Sequence, residues 1–234
     1  MEIESILKHP QMALFITIGS FLFAQWFQKK IGGYSLLNPI VTSIIIVVIY
    51  IVIMDISYSD YLSNVNIIHA LLGPATVALA VPLYNQLSLI KRSAGAIIIT
   101  VLSASIVASG MAYGLAYAME ATKDIQLSIM PKSVTTAIAI GIAEKIQIEP
   151  SLVVFFVFTT GIIGSIIATI LFKIFKITND KAIGLSLGAT CHGLGIARAF
   201  QCSEQAGAFA ALGMSLMGII SGIILPTIII VFIL

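Results

Sequence analysis

Arg198 stands in "SLGATCHGLGIARAF", Ser186 to Phe200, and no other Lys, Arg, Asp or Glu lies between Ala182 and Cys202. Lys132 is equally alone between Ile125 and Ala143, inside "MPKSVTT". A formal charge within so apolar a run is costly and points to a partner or a ligand. Both cations have hydroxyls and chain breakers beside them. A broken helix exposes backbone N–H groups and a positive dipole end, which suits an anion. Arginine matches a carboxylate with a bidentate fork. Small residues such as Gly193 let a ligand approach the backbone. The candidate binding residues are therefore Thr76, Lys132, Ser133, Thr135, Thr136, Thr190, His192, Gly193 and Arg198. The expected helix breaks are Pro74, Pro131, Gly188 and Gly195. His192 has an ordinary pKa near neutrality and suits a coupling proton. Plainer readings stand beside these: Lys132 and Arg198 as snorkelling side chains, His192 as a satisfied interior histidine.

Other chemistries find little support. "GLSLG", Gly184 to Gly188, formally matches the serine-hydrolase pentapeptide, but a nucleophile elbow needs a strand–turn–helix that this sequence cannot build. Cys191 and Cys202 lack metal-ligand spacing and read as apolar fillers. No phosphate loop, dinucleotide fingerprint or metalloprotease motif is present, so no cofactor, metal or catalytic residue is expected. No mid-span carboxylate argues for a proton relay. There is no basic patch of the kind nucleic acid requires.

The elements that must hold these residues are membrane helices. Of 234 residues, 59% are hydrophobic and 9% charged, with mean hydropathy +1.10. A soluble domain of this length cannot hide so much apolar surface. A crossing needs about 20 apolar residues. Runs that meet this are Pro10–Gln28, Leu36–Met54, Val65–Leu89, Ser93–Met119, Ser151–Phe172 and Gln205–Leu234. "MEIESILKHPQM" at the start carries two glutamates and does not resemble a cleaved signal peptide.

Ile125–Ile146 and Ala182–Phe200 are shorter, interrupted and partly polar. Such segments at membrane depth must be buried in protein or line a cavity. Basic residues follow the first span (Lys29, Lys30), the third (Lys91, Arg92) and the fifth (Lys173, Lys176, Lys181). If these loops share the cytoplasmic side, Ile125–Ile146 must enter and leave on the outer side. Ala182–Phe200 would then dip in from the cytoplasm. That is six crossings with two re-entrant segments; the alternative is eight plain crossings with one loop against the charge rule. Thr76, Ser133 and Thr190 lie 57 residues apart, each two positions after a Pro or Gly, which is either a weak internal repeat or chance. Gly110–Gly114, Gly161–Gly164 and Gly218–Gly222 suit close helix packing.

"LLGPATVALAVPLYNQ" (71–86), "MPKSVTTAIAIGIAEKI" (130–146), "TGIIGS" (160–165), "GLSLGATCHGLGIARAF" (184–200) and "GAFAALGMSLMGIISGIILP" (207–226), taken in order, resemble the LrgB/CidB family. The resemblance covers nearly the whole chain. It implies a single LrgB-like transmembrane domain over 1–234, multi-pass in a bacterial inner membrane. Members are described as antiholin-like regulators of murein hydrolases, commonly paired with a small LrgA/CidA-like membrane protein. The family also includes the plastid glycolate/glycerate translocator and bacterial pyruvate uptake systems. Ala137 stands where the family typically has Pro, and Cys191 and Ile196 also depart from its pattern, while His192 and Arg198 remain.

The expected architecture is an all-α integral membrane protein of six to eight transmembrane helices, with two or three broken or re-entrant segments and inverted repeats left open. The expected function is secondary transport of a small monocarboxylate, such as pyruvate, glycolate or glycerate, coupled to a proton or cation. The alternative is a holin- or antiholin-like pore or regulator of lysis. Expected partners are a small carboxylate anion, the bilayer, an LrgA/CidA-like protein and further copies of the chain.

Overall fold

In the computed structural model residues 10–31 and 39–233 are described, and every regular element among them is helical. The chain forms two compact units that divide between Ala78 and Leu79. The first holds α1 (Pro10–Lys30), α2 (Pro39–Ile53), α3 (Tyr58–Asn64) and α4 (Asn66–Ala78). Within it α1 packs on α2, and the Thr17 hydroxyl meets the Tyr61 hydroxyl at 2.7 Å. The opening residues of the Leu36–Met54 span lie outside the described residues. The expected third span, Val65–Leu89, is not one helix. Pro74 sits inside α4, which continues through it, and the interruptions fall at Leu79, Gln86 and Ser93 instead. A helix in a membrane protein tolerates proline when neighbouring groups absorb the lost N–H bond.

The second unit holds α5 (Ala80–Asn85), α6 (Leu87–Arg92), α7 (Ala94–Ala118), α8 (Lys123–Ser128), α9 (Thr136–Lys145), α10 (Pro150–Ile174), α11 (Asp180–Phe200) and α12 (Glu204–Phe232). Among the described residues α7, α10 and α12 are long and apolar enough to cross a membrane. Their outer faces carry large exposed side chains such as Ile99, Met111, Phe155, Ile170, Ile223 and Val231. In water that surface would be untenable; in a bilayer it meets hydrocarbon.

Helix α11 is a hairpin. Its helical path stops at His192, whose φ of 44° and ψ of −128° turn the chain. Beyond the turn, a Cβ on Gly195 would collide with the carbonyl oxygen of Leu187. In a straight helix residues eight apart are separated by about 12 Å, so the two arms lie side by side. The ends meet as well: the Ser203 hydroxyl donates to Asp180 Oδ2 at 2.7 Å. Asn179 and Ser203 cap the two helices that begin here, accepting from the backbone of Lys181 and Ala182 and of Ala206. The hairpin therefore enters and leaves at one end of the unit.

The segment between α7 and α10 also returns to the side it came from. Ser93, just before α7, and Thr100 within it share a cavity with Asn179 and Leu185, so α7 starts at the base of the α11 hairpin. Helix α10 ends at that same base, because only residues 175–179 separate it from α11. Each helix is long and apolar enough to cross once. Residues 119–149 thus begin and end at the opposite face, with α8 leading in and α9 leading out. Between them Ile129–Thr135 is non-helical. The Lys132 ammonium donates to the Ala108 carbonyl at 3.0 Å, ten residues back from the end of α7, a depth of about 15 Å. Both segments return to the end of the unit they came from, as the re-entrant reading expected, while among the described residues three helices, not six, are long and apolar enough to cross. That return puts Lys91–Arg92 and Lys173–Lys181 at one face, as the charge rule asks.

This topology is open to cysteine labelling. With Cys191 and Cys202 replaced by Ala, single cysteines at Thr122 and Gln147 are expected to react with an impermeant maleimide from one side of the membrane. Cysteines at Lys176 and Gln201 should react from the other. Labelling of Thr122→Cys and Gln147→Cys from opposite sides would show a full crossing instead.

Candidate functional site

The first break is built by what α8 and α9 cannot continue. Pro131 has no N–H to donate and disfavours helix at Met130. The chain leaves the helix there, and Thr135, extended at φ −67° and ψ 151°, opens α9. The loop is held from outside: Ser109 of α7 donates to the Met130 carbonyl at 3.0 Å, and Lys132 caps Ala108. Pro131 and Ser133 are buried, while Lys132, Thr135 and Thr136 are half-buried. An ammonium has three donors, so the single bond to Ala108 leaves Lys132 able to bind an anion. The Ser128 hydroxyl, just before the break, is fully buried and makes no hydrogen bond among the described residues. An orphaned hydroxyl costs about 1–3 kcal/mol, and it marks a place where a polar guest would be welcome.

The second break is His192. Its Nε2 lies 3.0 Å from the Val157 carbonyl of α10, and its ring rests where a Cβ on Gly161 would be, 2.7 Å from the ring atoms. Gly164 gives the same clearance to Cys191. The Gly161–Gly164 pair thus receives the hairpin tip. Gly188 and Gly195, expected as breaks, are helical. They are packing positions: side chains there would strike the backbone carbonyls of Ala210 and Leu187. Thr190 is exposed, with its hydroxyl bonded to the Ser186 carbonyl of its own arm at 2.6 Å. Gly193 is exposed at the turn. Val134 of the first break and Ala189 near the second tip belong to one apolar core with Val157, Phe209 and Met217, so the two hairpins meet through shared packing.

Arg198 is placed differently from its neighbours in sequence. Because the chain reverses at His192, Arg198 returns to the base of the hairpin. Its Nε donates to the Thr169 hydroxyl at 3.1 Å and its Nη1 to Gln201 Oε1 at 2.6 Å. It lines a cavity of about 410 Å³ together with Lys173, Lys176, Thr169 and Thr178. Lys132 is not part of that wall, so the two isolated cations do not share that cavity. Thr76 lies in α4 of the first unit, and its side chain is outside the described residues. Ser133 sits in a turn and Thr190 in a helix, so the 57-residue spacing does not carry a repeated local structure. Among the described residues no cluster of His, Cys, Asp or Glu is placed to hold a metal.

Two opposed hairpins inside a frame of three crossing helices define a multi-pass, all-helical membrane protein with broken segments at mid-depth. The LrgB-like family profile matches residues 17–231, and the chain belongs to that family. It is 28% identical to the holin-like protein CidB of Staphylococcus aureus over 94% of this chain and 96% of that one. The antiholin-like protein LrgB of Bacillus subtilis is 27% identical over 93% of this chain and 94% of its own length. A Haemophilus influenzae protein without a functional name is 33% identical over 91% of each. No solved structure matches the chain.

Ser128→Ala removes the orphaned hydroxyl and should leave the protein as stable as, or more stable than, the wild type by up to about 1–3 kcal/mol; a clear loss would mean the hydroxyl has a partner. His192→Gly and His192→Ala both lose the bond to Val157, but only glycine tolerates the turn. His192→Ala should therefore unfold more easily in detergent–SDS titrations, by about 1–3 kcal/mol, and equal stabilities would show an unstrained turn.

Proposed function

We propose that the protein carries a small carboxylate anion across the membrane, with the two broken segments as its binding elements. The observation that supports this is the pair of opposed hairpins with breaks at mid-depth, each ending in polar groups inside an apolar core. Discontinuous segments of this kind present unpaired backbone groups to a substrate at the bilayer midplane. Lys132 supplies the charge, and Ser128, Ser133, Thr135 and Thr136 supply hydroxyls around it. His192 and Gly193 form the facing tip, with His192 the group able to take up a coupling proton. Arg198, tied to Thr169 and Gln201, holds the base of the second hairpin. No catalytic step is involved. The family match runs across both compact units, which supports one functional domain.

The names of the relatives favour a second reading, and more directly than any of them favours transport. On that reading the protein is holin- or antiholin-like, as those relatives are named, and would regulate membrane permeability and lysis with a small LrgA/CidA-like membrane partner.

Proteoliposomes separate the two. A carrier should take up labelled pyruvate or glycolate with saturation and retain a trapped dye. Lys132→Ala should lower uptake by at least about tenfold, the worth of a charge-assisted hydrogen bond. Dye leakage without saturable uptake, unchanged by Lys132→Ala, would establish the holin-like reading.

A further inference from the structure

The cavity at the base of the second hairpin has a composition that neither reading explains. Arg198, Lys173 and Lys176 all line this one cavity, together with Thr169 and Thr178. Among the described residues the wall contains no carboxylate. The hydrogen-bond partners of Arg198 are neutral, a hydroxyl and an amide oxygen. Three basic residues therefore line the cavity with no acidic residue among its lining. The remaining wall is apolar, with Phe172, Ile183 and Leu187.

Location matters as much as charge. Lys173 is in the last turn of α10 and Lys176 just beyond it, so the cavity lies where a crossing helix leaves the bilayer. This is the basic face, which the charge rule makes cytoplasmic. Cations at a helix end with an apolar wall beneath them match an amphiphile whose head is anionic. A free carboxylate would use the cations and leave the apolar wall idle. A phosphodiester head on an acyl chain uses both, and basic pockets between helices on this side are where such heads bind.

We propose that this cavity binds the phosphate group of an anionic membrane phospholipid. Arg198, fixed by Thr169 and Gln201, presents its guanidinium to the phosphate. Lys173 and Lys176 close over the phosphate from the outside, and the acyl chain lies along Phe172 and Leu187. The bound lipid would brace the base of the hairpin against the end of α10, independently of what crosses the membrane at the breaks.

The test uses the full chain purified in mixed micelles, titrated with phosphatidylglycerol, phosphatidylcholine or inorganic phosphate. Thermal stability is followed, and native mass spectrometry reads retained lipid. Lys173 and Lys176 are exposed, so Lys173→Ala/Lys176→Ala should fold. Lys91→Ala/Arg92→Ala removes the same charge from the same face outside the cavity. Phosphatidylglycerol should raise the melting temperature of the wild type and of the Lys91/Arg92 variant by about 3 °C. Its apparent affinity should fall about tenfold or more in the Lys173/Lys176 variant. Equal effects of phosphatidylcholine, or equal losses in both double variants, would overturn the proposal. A matching shift from inorganic phosphate alone would assign the cavity to a soluble anion and overturn the lipid as its source.

Discussion

A bilayer offers the backbone no hydrogen-bond partner, and that constraint governs this molecule. A helix that crosses satisfies itself along its length. A hairpin that stops at mid-depth does not, because its tip exposes free N–H and C=O groups. The tip must then be enclosed by protein, and close enclosure needs missing side chains. Gly184 and Gly188 bring the first arm of α11 against the carbonyls of Ala206 and Ala210 on α12. Gly213 of α12 returns the contact, fitting against Leu185 and Ala189. Gly161 and Gly164 make room for the tip itself. A single Cβ at Gly184 or Gly188 would push arm and helix apart and open the tip to lipid.

The first hairpin meets the same constraint by another route. Its tip is held by side-chain bonds from α7, through Ser109 and the Ala108 carbonyl, and by Ile138 seated over Gly218 of α12. Helices α7 and α12 are themselves joined by the buried hydroxyl pair of Ser105 and Ser221 at 2.8 Å. The frame is thus pinned by short polar contacts, which hold position well in an apolar medium. The second tip has the strained His192 and one bond to Val157. Strain kept at a buried turn persists only where the surroundings over-determine it, and such turns cluster at sites that switch.

Much of the frame was legible in the residues. Charge-free runs located α7, α10 and α12, because apolar length is a direct consequence of bilayer thickness. The basic loops pointed to re-entry, because a lysine-rich loop resists translocation. The turn at His192 was not legible. Glycines flank it at Gly188, Gly193 and Gly195, and glycine serves a bend and a close contact equally well; only the partner helix tells them apart. The grouping of Arg198 with Lys173 and Lys176 was hidden for the same reason, since it exists only once the chain has reversed. Pro74 read as a break because proline usually is one, yet α4 runs through it. Ser128 carried no signal: its importance is the absence of a partner, a property of the packed core alone.

The arrangement also bears on how anything could pass. A standing pore needs a continuous polar stripe along its helices. Here buried polar groups of the second unit include the Ser105–Ser221 pair and the groups at the two breaks, while Arg198 lines the basal cavity. Between these places the core is apolar, with Val134, Val157, Ala189, Phe209 and Met217 in contact. Among the described residues a single copy in this conformation therefore places apolar packing between the two breaks. Passage requires that one hairpin move against the other so that the breaks face each side in turn, or that several copies assemble a path that one lacks. The first demands tips that can shift without unfolding. A glycine-lined seat with one strained residue at its turn allows that more readily than an unbroken helix would.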